Sequence, residues 1–181
     1  MKSVTTEQAV RQLMDSLARE YGWRFSKDEF EDTPARVRGM YDEWKRKHDY
    51  LKLTTFRPMS YGGMVVLTGI KAYAVCSHHL APFFGTVSIG YIPKEKVYGA
   101  SKLARIVAKA GYQAQTQERF TQEVLDLIDA EDAMVVMKCR HLCMVMRGIE
   151  DENEEMVTSS IKGAFEKPEV RAEFLTLAGW G

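Results

Sequence analysis

The sequence predicts an α+β fold in which an antiparallel sheet follows a helical N-terminal segment. Apolar residues recur every three or four positions over much of the first 50 residues, which is the spacing of amphipathic helices. After about residue 50, runs rich in valine, isoleucine and tyrosine indicate strands. Because helices and strands come in blocks and do not alternate, the pattern favours an antiparallel sheet. No long linker divides the chain, so residues 1–50 and 51–181 are expected to form one folding unit.

Two helices are predicted in the first 50 residues. The first has an apolar stripe that ends at Tyr21, and Gly22 is its expected stop signal. The second is expected to start at Thr33 and Pro34, a capping residue followed by proline at the first helical position. Its apolar stripe consists of Val37, Met40, Tyr41 and Trp44.

Strands and helices are mixed in the remaining 130 or so residues. The predicted strands are residues 64–67, 73–75, 86–92 and 133–146. The predicted helices are residues 101–110, 116–130, 158–165 and 168–178. Ser101 and Thr116 are the expected N-terminal caps of the first two of these helices.

Composition excludes several classes of protein. The net charge is zero over 181 residues, which gives no broad electrostatic reason to bind nucleic acid or a membrane surface. No apolar run is long enough to span a bilayer, and the first residues lack the apolar stretch of a signal peptide. Three cysteines are too few for a disulfide framework. A cytoplasmic, reducing location is therefore expected.

Three of the four histidines and all three cysteines lie in two short segments, residues 76–79 and 139–143. Cys76 and His79 have the C-x-x-H spacing that lets one turn present two ligands to a zinc ion. Cys143 is the natural third ligand. Three protein ligands leave a fourth position open, which distinguishes a catalytic zinc from a structural one.

Other interpretations of the same residues remain open at this point. His78, His141 or Cys139 would supply a fourth ligand if the zinc were structural, and buried cysteines also occur simply as small apolar residues. If residues 139–147 are extended, alternate side chains share one face, so that His141, Cys143 and Arg147 point the same way. We interpret Cys139 as a core residue on that face.

A predicted helix start after Gly99 carries positive charge. Lys102, Arg105 and Lys109 lie on one face, and the free N–H groups of a helix N-terminus favour phosphate. Taken alone, a solvated charged face explains these residues equally well. Glu118 in the next helix suits the helix dipole, and a buried carboxylate beside Gln117 would also suit the donor edge of guanine.

Five motifs occur together in the order and spacing of a known family: residues 76–80, 90–93, 101–107, 115–119 and 141–148. On these motifs the chain resembles GTP cyclohydrolase I, the first enzyme of pterin biosynthesis. The resemblance runs from Thr33 to the C-terminus. It implies the tunnelling fold, an antiparallel sheet with helices on one face. It also implies a homodecamer with active sites between subunits. The expectation of no nucleic-acid or membrane partner rests on the zero net charge and the lack of a spanning segment.

The resemblance also implies a reaction. Zinc held by Cys76, His79 and Cys143 would activate water to attack C8 of the guanine of GTP. Opening of the ring and loss of formate would give 7,8-dihydroneopterin triphosphate. His78 and His141 would move protons in these steps.

Further residues are implied to bind or rearrange the substrate. Ser101 would assist the later rearrangement of the ribose, and Gln117 and Glu118 would hold the guanine. The residues implied to bind the triphosphate are Arg36, Lys102, Arg105 and Arg147.

Two positions depart from the family pattern. Ser77 stands where the family usually has glutamate, beside the first zinc ligand, and Gly39 stands where it often has lysine. These departures raise one alternative, the same zinc chemistry on another purine nucleotide such as dGTP. A second alternative, which rests on a fourth protein ligand, is a structural zinc domain that serves as an assembly module.

Overall fold

The computed structural model describes residues 3–49, 54–57 and 61–180. The chain divides into two compact units, Met1–Lys47 and His48–Gly181. The boundary expected between residues 50 and 51 lies outside the described residues.

The N-terminal unit contains helices α1 (Thr6–Tyr21) and α2 (Lys27–Asp49). Helix α1 starts with a capping box between Thr5 and Gln8, and it ends at Gly22 in the left-handed conformation, as its pattern predicts. The predicted start of α2 at Thr33 is wrong, and Pro34 lies inside the helix. A second capping box explains the earlier start, because the Ser26 and Glu29 side chains each accept the other's backbone N–H.

The larger unit is built on a five-stranded sheet and a two-stranded ribbon. In chain order the strands are β1 (Thr55–Phe56), β2 (Val65–Cys76), β3 (Pro82–Tyr91), β4 (Val97–Tyr98), β5 (Ala114–Gln115), β6 (Ala133–His141) and β7 (Met156–Lys162). The sheet has the order β5-β2-β3-β6-β7, and β1 pairs with β4. Every pairing is antiparallel except that of β2 with β5. The α+β class with a mainly antiparallel sheet is therefore confirmed.

Helices cover both faces of this sheet. They are α3 (Ala100–Ala110), α4 (Gln117–Asp126), the single turn α5 (Leu142–Val145) and α6 (Pro168–Leu177), with a 3₁₀ turn at Gly163–Glu166. Helices α3 and α4 pack with Val135 and Met137 of β6, whereas Phe174 of α6 packs with Met134 and Val136. The expected placement of helices on one face is wrong for α6, because β6 is apolar on both sides and each side needs cover.

Two segments near the site differ from their predicted form. The strand predicted over residues 133–146 ends at His141, where α5 begins, so the alternation of side chains does not continue to Cys143. The helix predicted over residues 158–165 is instead strand β7 followed by the 3₁₀ turn. Its Val-Thr-Ser-Ser-Ile run has the β-branched residues that pack well in a sheet.

The remaining differences concern ends of elements. Residues 64–67 and 73–75 belong to one strand, β2, which has a register irregularity between Leu67 and Ile70. Thr116 caps α4 as predicted, but that helix ends at Asp126. Ser101 is not the cap of α3, since Gly99 occupies that position without a side-chain hydrogen bond. None of the described helices is both long and apolar enough to cross a lipid bilayer.

Candidate metal centre and substrate site

A tight hairpin turn between β2 and β3 presents the first cysteine and two histidines. The backbone N–H of Cys76 donates to the carbonyl of Ala81, and that of Leu80 donates to the carbonyl of Cys76. Leu80 takes a positive φ of 53° to close the turn. Cys76 itself is buried at the strand end, while His78 and His79 are exposed on the turn.

Helix α5 brings Cys143 to the same place. His141, the last residue of β6, lies opposite Phe83 in the sheet, and the helical turn that follows carries Cys143. Among residues 3–49, 54–57 and 61–180, one group of three or more potential metal ligands converges: Cys76, His141 and Cys143, whose ligand atoms all lie within 4.8 Å of one another. The two cysteine-bearing segments therefore meet as the sequence predicts.

The donor set of this cluster fits a soft divalent cation. Burial, together with a hydrogen bond to Cys76, raises the pKa of the Cys143 thiol. Two adjacent buried sulfurs hold negative charge poorly without a cation, whereas a bound metal deprotonates a coordinating thiol. Thiolate and imidazole are the ligands zinc prefers. All three cysteines of the chain are free, so none is committed to a disulfide.

The histidines of the turn lie against the Cys76 sulfur. The Nδ1 atoms of His78 and His79 are 3.8 and 3.9 Å from Cys76 Sγ. The other ring nitrogen of His79, Nε2, accepts a hydrogen bond of 2.9 Å from Arg147. In this arrangement the tight trio contains His141, while His79 is close to Cys76 and also bonded to Arg147.

His141 is held from two directions. Its ring stacks on Phe83, with centroids 4.4 Å apart and planes within 6° of parallel. Its Nε2 lies 2.9 Å from the side-chain oxygen of Gln117. Burial lowers the pKa of His141, an effect that the nearby Glu118 carboxylate opposes.

Gln117 and Glu118 occupy different environments at the start of α4. Gln117 is 1% exposed, and its side-chain nitrogen donates to acceptors on β6 and β7. Its amide is therefore engaged by groups of the chain itself. The Glu118 side chain is exposed and lies near His141, so it is the better placed of the two for a ligand.

The two ends of α3 are placed differently, with its C-terminal end beside strand β5. Gln115 pairs with Cys76 across β5 and β2, and its side chain donates to the carbonyl of Ala110, at the C-terminal end of α3. Ser101 lies nine residues earlier, about 13 Å along the helix axis. Lys102 and Arg105 share its half of the helix, with Ser101 and Arg105 exposed and Lys102 half-buried.

The other predicted residues are placed as follows. Arg36 lies on α2 in the N-terminal unit and forms an ion pair of 3.0 Å with Asp32. Arg147 is exposed just after α5. Cys139 is buried in the core beneath α3 and α4, and burial raises the pKa of its thiol to about 12. Cys139 is not part of the converging group, as its interpretation as a core residue requires.

One contact of the site has no counterpart in the sequence pattern. Gln117 and His141 are 24 residues apart, and they meet because α4 packs on β6. The only related signal is the capped helix start at Thr116, which places Gln117 in the first turn.

Comparison with known proteins agrees with this geometry. A family model described as GTP cyclohydrolase I matches residues 6–179. The protein named GTP cyclohydrolase 1 of Sulfurihydrogenibium sp. (strain YO3AOP1) is 38% identical over 177 residues, which are 94% of this chain and 92% of that protein. The protein of the same name from Aquifex aeolicus (strain VF5) is 37% identical over 94% of each chain.

Two further matches cover less of this chain. GTP cyclohydrolase 1 of Saccharomyces cerevisiae is 42% identical over 135 residues, 72% of this chain and 55% of that protein. The crystal structure of the archaeosine synthase QueF-Like in the apo form matches 59% of this chain and 98% of its own, at 18% identity and a TM-score of 0.44. That structural likeness is too distant to bear on fold or function.

Proposed function

The chain belongs to the GTP cyclohydrolase I family, and from that premise we propose that it hydrolyses GTP at C8 of the guanine. The products are formate and 7,8-dihydroneopterin triphosphate. The family makes the chain a hydrolase that opens a cyclic amidine. The observation that supports this chemistry most strongly is the convergence of Cys76, His141 and Cys143 within 4.8 Å.

Zinc is the proposed cofactor, held by Cys76, His79 and Cys143. Both sulfurs are buried and adjacent, and His79 lies 3.9 Å from the Cys76 sulfur. When bound, zinc supplies Lewis-acid activation of the water that hydrolyses the ring. Ligation by His79 through Nε2 requires Arg147 to release that nitrogen, since one lone pair cannot serve both.

His78 and His141 are the proposed proton carriers. His78 lies 3.8 Å from the Cys76 sulfur on an exposed turn, where protons exchange readily with water. His141 is buried, and its lowered pKa keeps the imidazole neutral and able to accept a proton near neutral pH. His78 is exposed and His141 is buried, and both lie beside the cysteine sulfurs. This difference suits the two histidines to protonate and deprotonate different atoms of the guanine ring.

Substrate contacts are proposed for six charged or polar residues. Glu118 accepts hydrogen bonds from the donor edge of guanine, which a carboxylate matches. Ser101 assists the rearrangement of the ribose. The residues proposed to bind the triphosphate are Arg36, Lys102, Arg105 and Arg147.

An oligomer with active sites between subunits is part of the proposal. Ser101 lies about 13 Å along α3 from Ala110, which contacts Gln115 next to Cys76, and we propose that a second copy brings its α3 residues to the metal. A decamer of tunnelling-fold subunits in the cytoplasm is the assembly implied by the resemblance.

Incubation of the zinc-loaded protein with GTP tests the function. We expect formate and, after oxidation, the fluorescence of a pterin. A parallel incubation with dGTP compares the turnover of the two nucleotides. Faster turnover of dGTP would mean that a chain with Ser77 and Gly39 prefers a different substrate. GTP left intact by a zinc-loaded protein that also turns over no dGTP would refute the proposal.

A further inference from the structure

The orientation of the Gln117 side chain is determined by its neighbours. Its amide nitrogen lies 3.2 Å from the carbonyl oxygen of Met137 and 2.9 Å from that of Met156. Carbonyl oxygens only accept hydrogen bonds, so the atom that faces them is the donating NH₂ group. The reverse orientation would set the Gln117 oxygen against two other oxygens. The amide oxygen therefore faces His141.

That orientation decides which nitrogen of His141 carries hydrogen. The Gln117 oxygen, 2.9 Å from His141 Nε2, is only an acceptor. Nε2 must then be the donor and bear the proton. In the neutral imidazole the other nitrogen, Nδ1, is left with the lone pair.

We propose that Gln117 is a positioning residue that holds His141 in the Nε2–H tautomer, leaving Nδ1 as its one atom able to take a proton or bind metal. This assigns Gln117 a different task from the guanine contact implied by the resemblance. Its consequence for catalysis rests on the proposed function, but the tautomer itself does not.

A closed ring of hydrogen bonds keeps Gln117 in place. Its nitrogen also lies 3.1 Å from the hydroxyl of Thr158, and since the NH₂ group has two hydrogens for three acceptors, one hydrogen is shared between two of them. That hydroxyl is 2.6 Å from the hydroxyl of Thr121, which donates to the backbone carbonyl of Gln117. Because Thr121 has a single hydroxyl hydrogen, Thr158 donates to Thr121, and the ring closes on Gln117 itself. Such connected networks are stiffer than isolated pairs.

The imidazole ring of His141 is restrained in both its plane and its rotation. The parallel stack on Phe83 holds the plane of the ring, and the bond to Gln117 holds its rotation within that plane. Both Phe83 and Gln117 are 1% exposed, so water does not compete for the imidazole on these sides.

Solid-state NMR of the full chain with ¹⁵N-labelled histidine tests the tautomer directly. The chain has four histidines, and the signals of His141 are identified by their loss in His141→Asn. At neutral or higher pH, with and without zinc, we expect a protonated Nε2. A protonated Nδ1 with a bare Nε2 would overturn the inference. The spectrum needs no substrate, so failure of the proposed function leaves this result unaffected.

Kinetics of Gln117→Met separate positioning from guanine binding. Methionine is similar in size but does not accept the His141 proton. We expect kcat for GTP to fall by about 10-fold to 100-fold, the usual cost of losing the partner of a functional histidine, with KM nearly unchanged. A rise in KM with kcat retained would mean that Gln117 binds guanine instead.

Thr158→Val is the matched control for a merely structural effect. It removes one acceptor of the Gln117 nitrogen but leaves the two carbonyls that orient the amide. We expect lower stability with the Nε2–H tautomer retained. If Thr158→Val changes the tautomer as Gln117→Met does, the fixed amide orientation is not the cause and the inference fails.

Discussion

At the scale of single residues, the sulfurs of Cys76 and Cys143 decide what the site can hold. Both are buried and both belong to a cluster within 4.8 Å, where two thiolates need a cation. The histidines differ in what holds them: His79 is bonded to Arg147 on an exposed turn, and His141 is clamped by Phe83 and Gln117. The proposed metal ligand His79 and the proposed proton carrier His141 are therefore separable by mutation.

The first prediction concerns zinc content. His141→Ala is expected to abolish turnover and keep about one zinc per chain, because its proposed role is to move protons. His79→Ala is expected to lose zinc. Elemental analysis of the purified variants measures both. If zinc were lost from His141→Ala and kept by His79→Ala, His141 would be the metal ligand and His79 would not. That result would agree with the cluster of Cys76, His141 and Cys143.

The second prediction concerns pH and Cys139. Burial raises the pKa of this thiol from 9.0 to about 12, so the folded chain keeps the proton that the unfolded chain loses. The stabilisation is present below pH 9 and is lost as pH rises towards 12, by at most about 4 kcal/mol. Urea unfolding across this range checks it.

Cys139→Val is the control for that titration. Valine fills a similar volume without an ionisable group. The unfolding free energy of the variant is therefore expected to fall less steeply above pH 9 than that of the unchanged chain. Parallel curves for the two proteins would show that Cys139 does not titrate on unfolding.

At the scale of elements, close pairing of β3 and β6 positions His141. A Cβ added at Gly85 would collide with the backbone carbonyl of Lys138, on the partner strand two residues before Arg140. Gly85→Ala therefore forces the strands apart beside the site. We expect a loss of several kcal/mol in unfolding free energy, since overpacking against backbone exceeds the usual 1–3 kcal/mol.

Gly39→Ala is the matched control for Gly85→Ala. Gly39 lies in α2, and apart from the neighbouring backbone of the helix itself no described atom comes within 4 Å of an added Cβ there. The same substitution is expected to stabilise the chain by about 0.5–1 kcal/mol, through helix propensity. Equal effects of the two substitutions on chemical unfolding would contradict the described β3–β6 contact.

The elements also show what the sequence allows one to predict. The Cys76 and Cys143 segments, the capped helix at Thr116 and the α+β class follow from spacing and composition. The break at His141 does not, because a run of Val, Met and Leu suits a strand and a short helix equally. The contact of Gln117 with His141 depends on tertiary packing, which spacing along the chain does not encode.

At the scale of the whole molecule, the proposed active sites between subunits predict that one chain alone is incomplete. Ser101 lies about 13 Å along the axis of α3 from Ala110, whose carbonyl accepts a hydrogen bond from Gln115 of β5. If each active site combines α3 of one subunit with the cysteines of another, two inactive variants can complement each other.

Mixed oligomers test this arrangement. Cys76→Ser and Lys102→Ala are each expected to be inactive alone, one for lack of metal and the other for lack of a phosphate contact. Co-expression is expected to restore part of the activity, because some sites then combine two intact halves. Mixed oligomers confirmed by affinity tags, yet without activity, would show that each chain carries its own complete site.

The most direct test of a zinc-dependent opening of guanine is the fate of C8 when the zinc-loaded protein is incubated with GTP labelled with ¹³C at that atom. We expect the label to leave as formate, the release to stop when a chelator removes the metal, and the release to return with added zinc. Label that stays in the purine ring, or formate release that persists after the metal is gone, would contradict a zinc-dependent opening of guanine at the Cys76–Cys143 site.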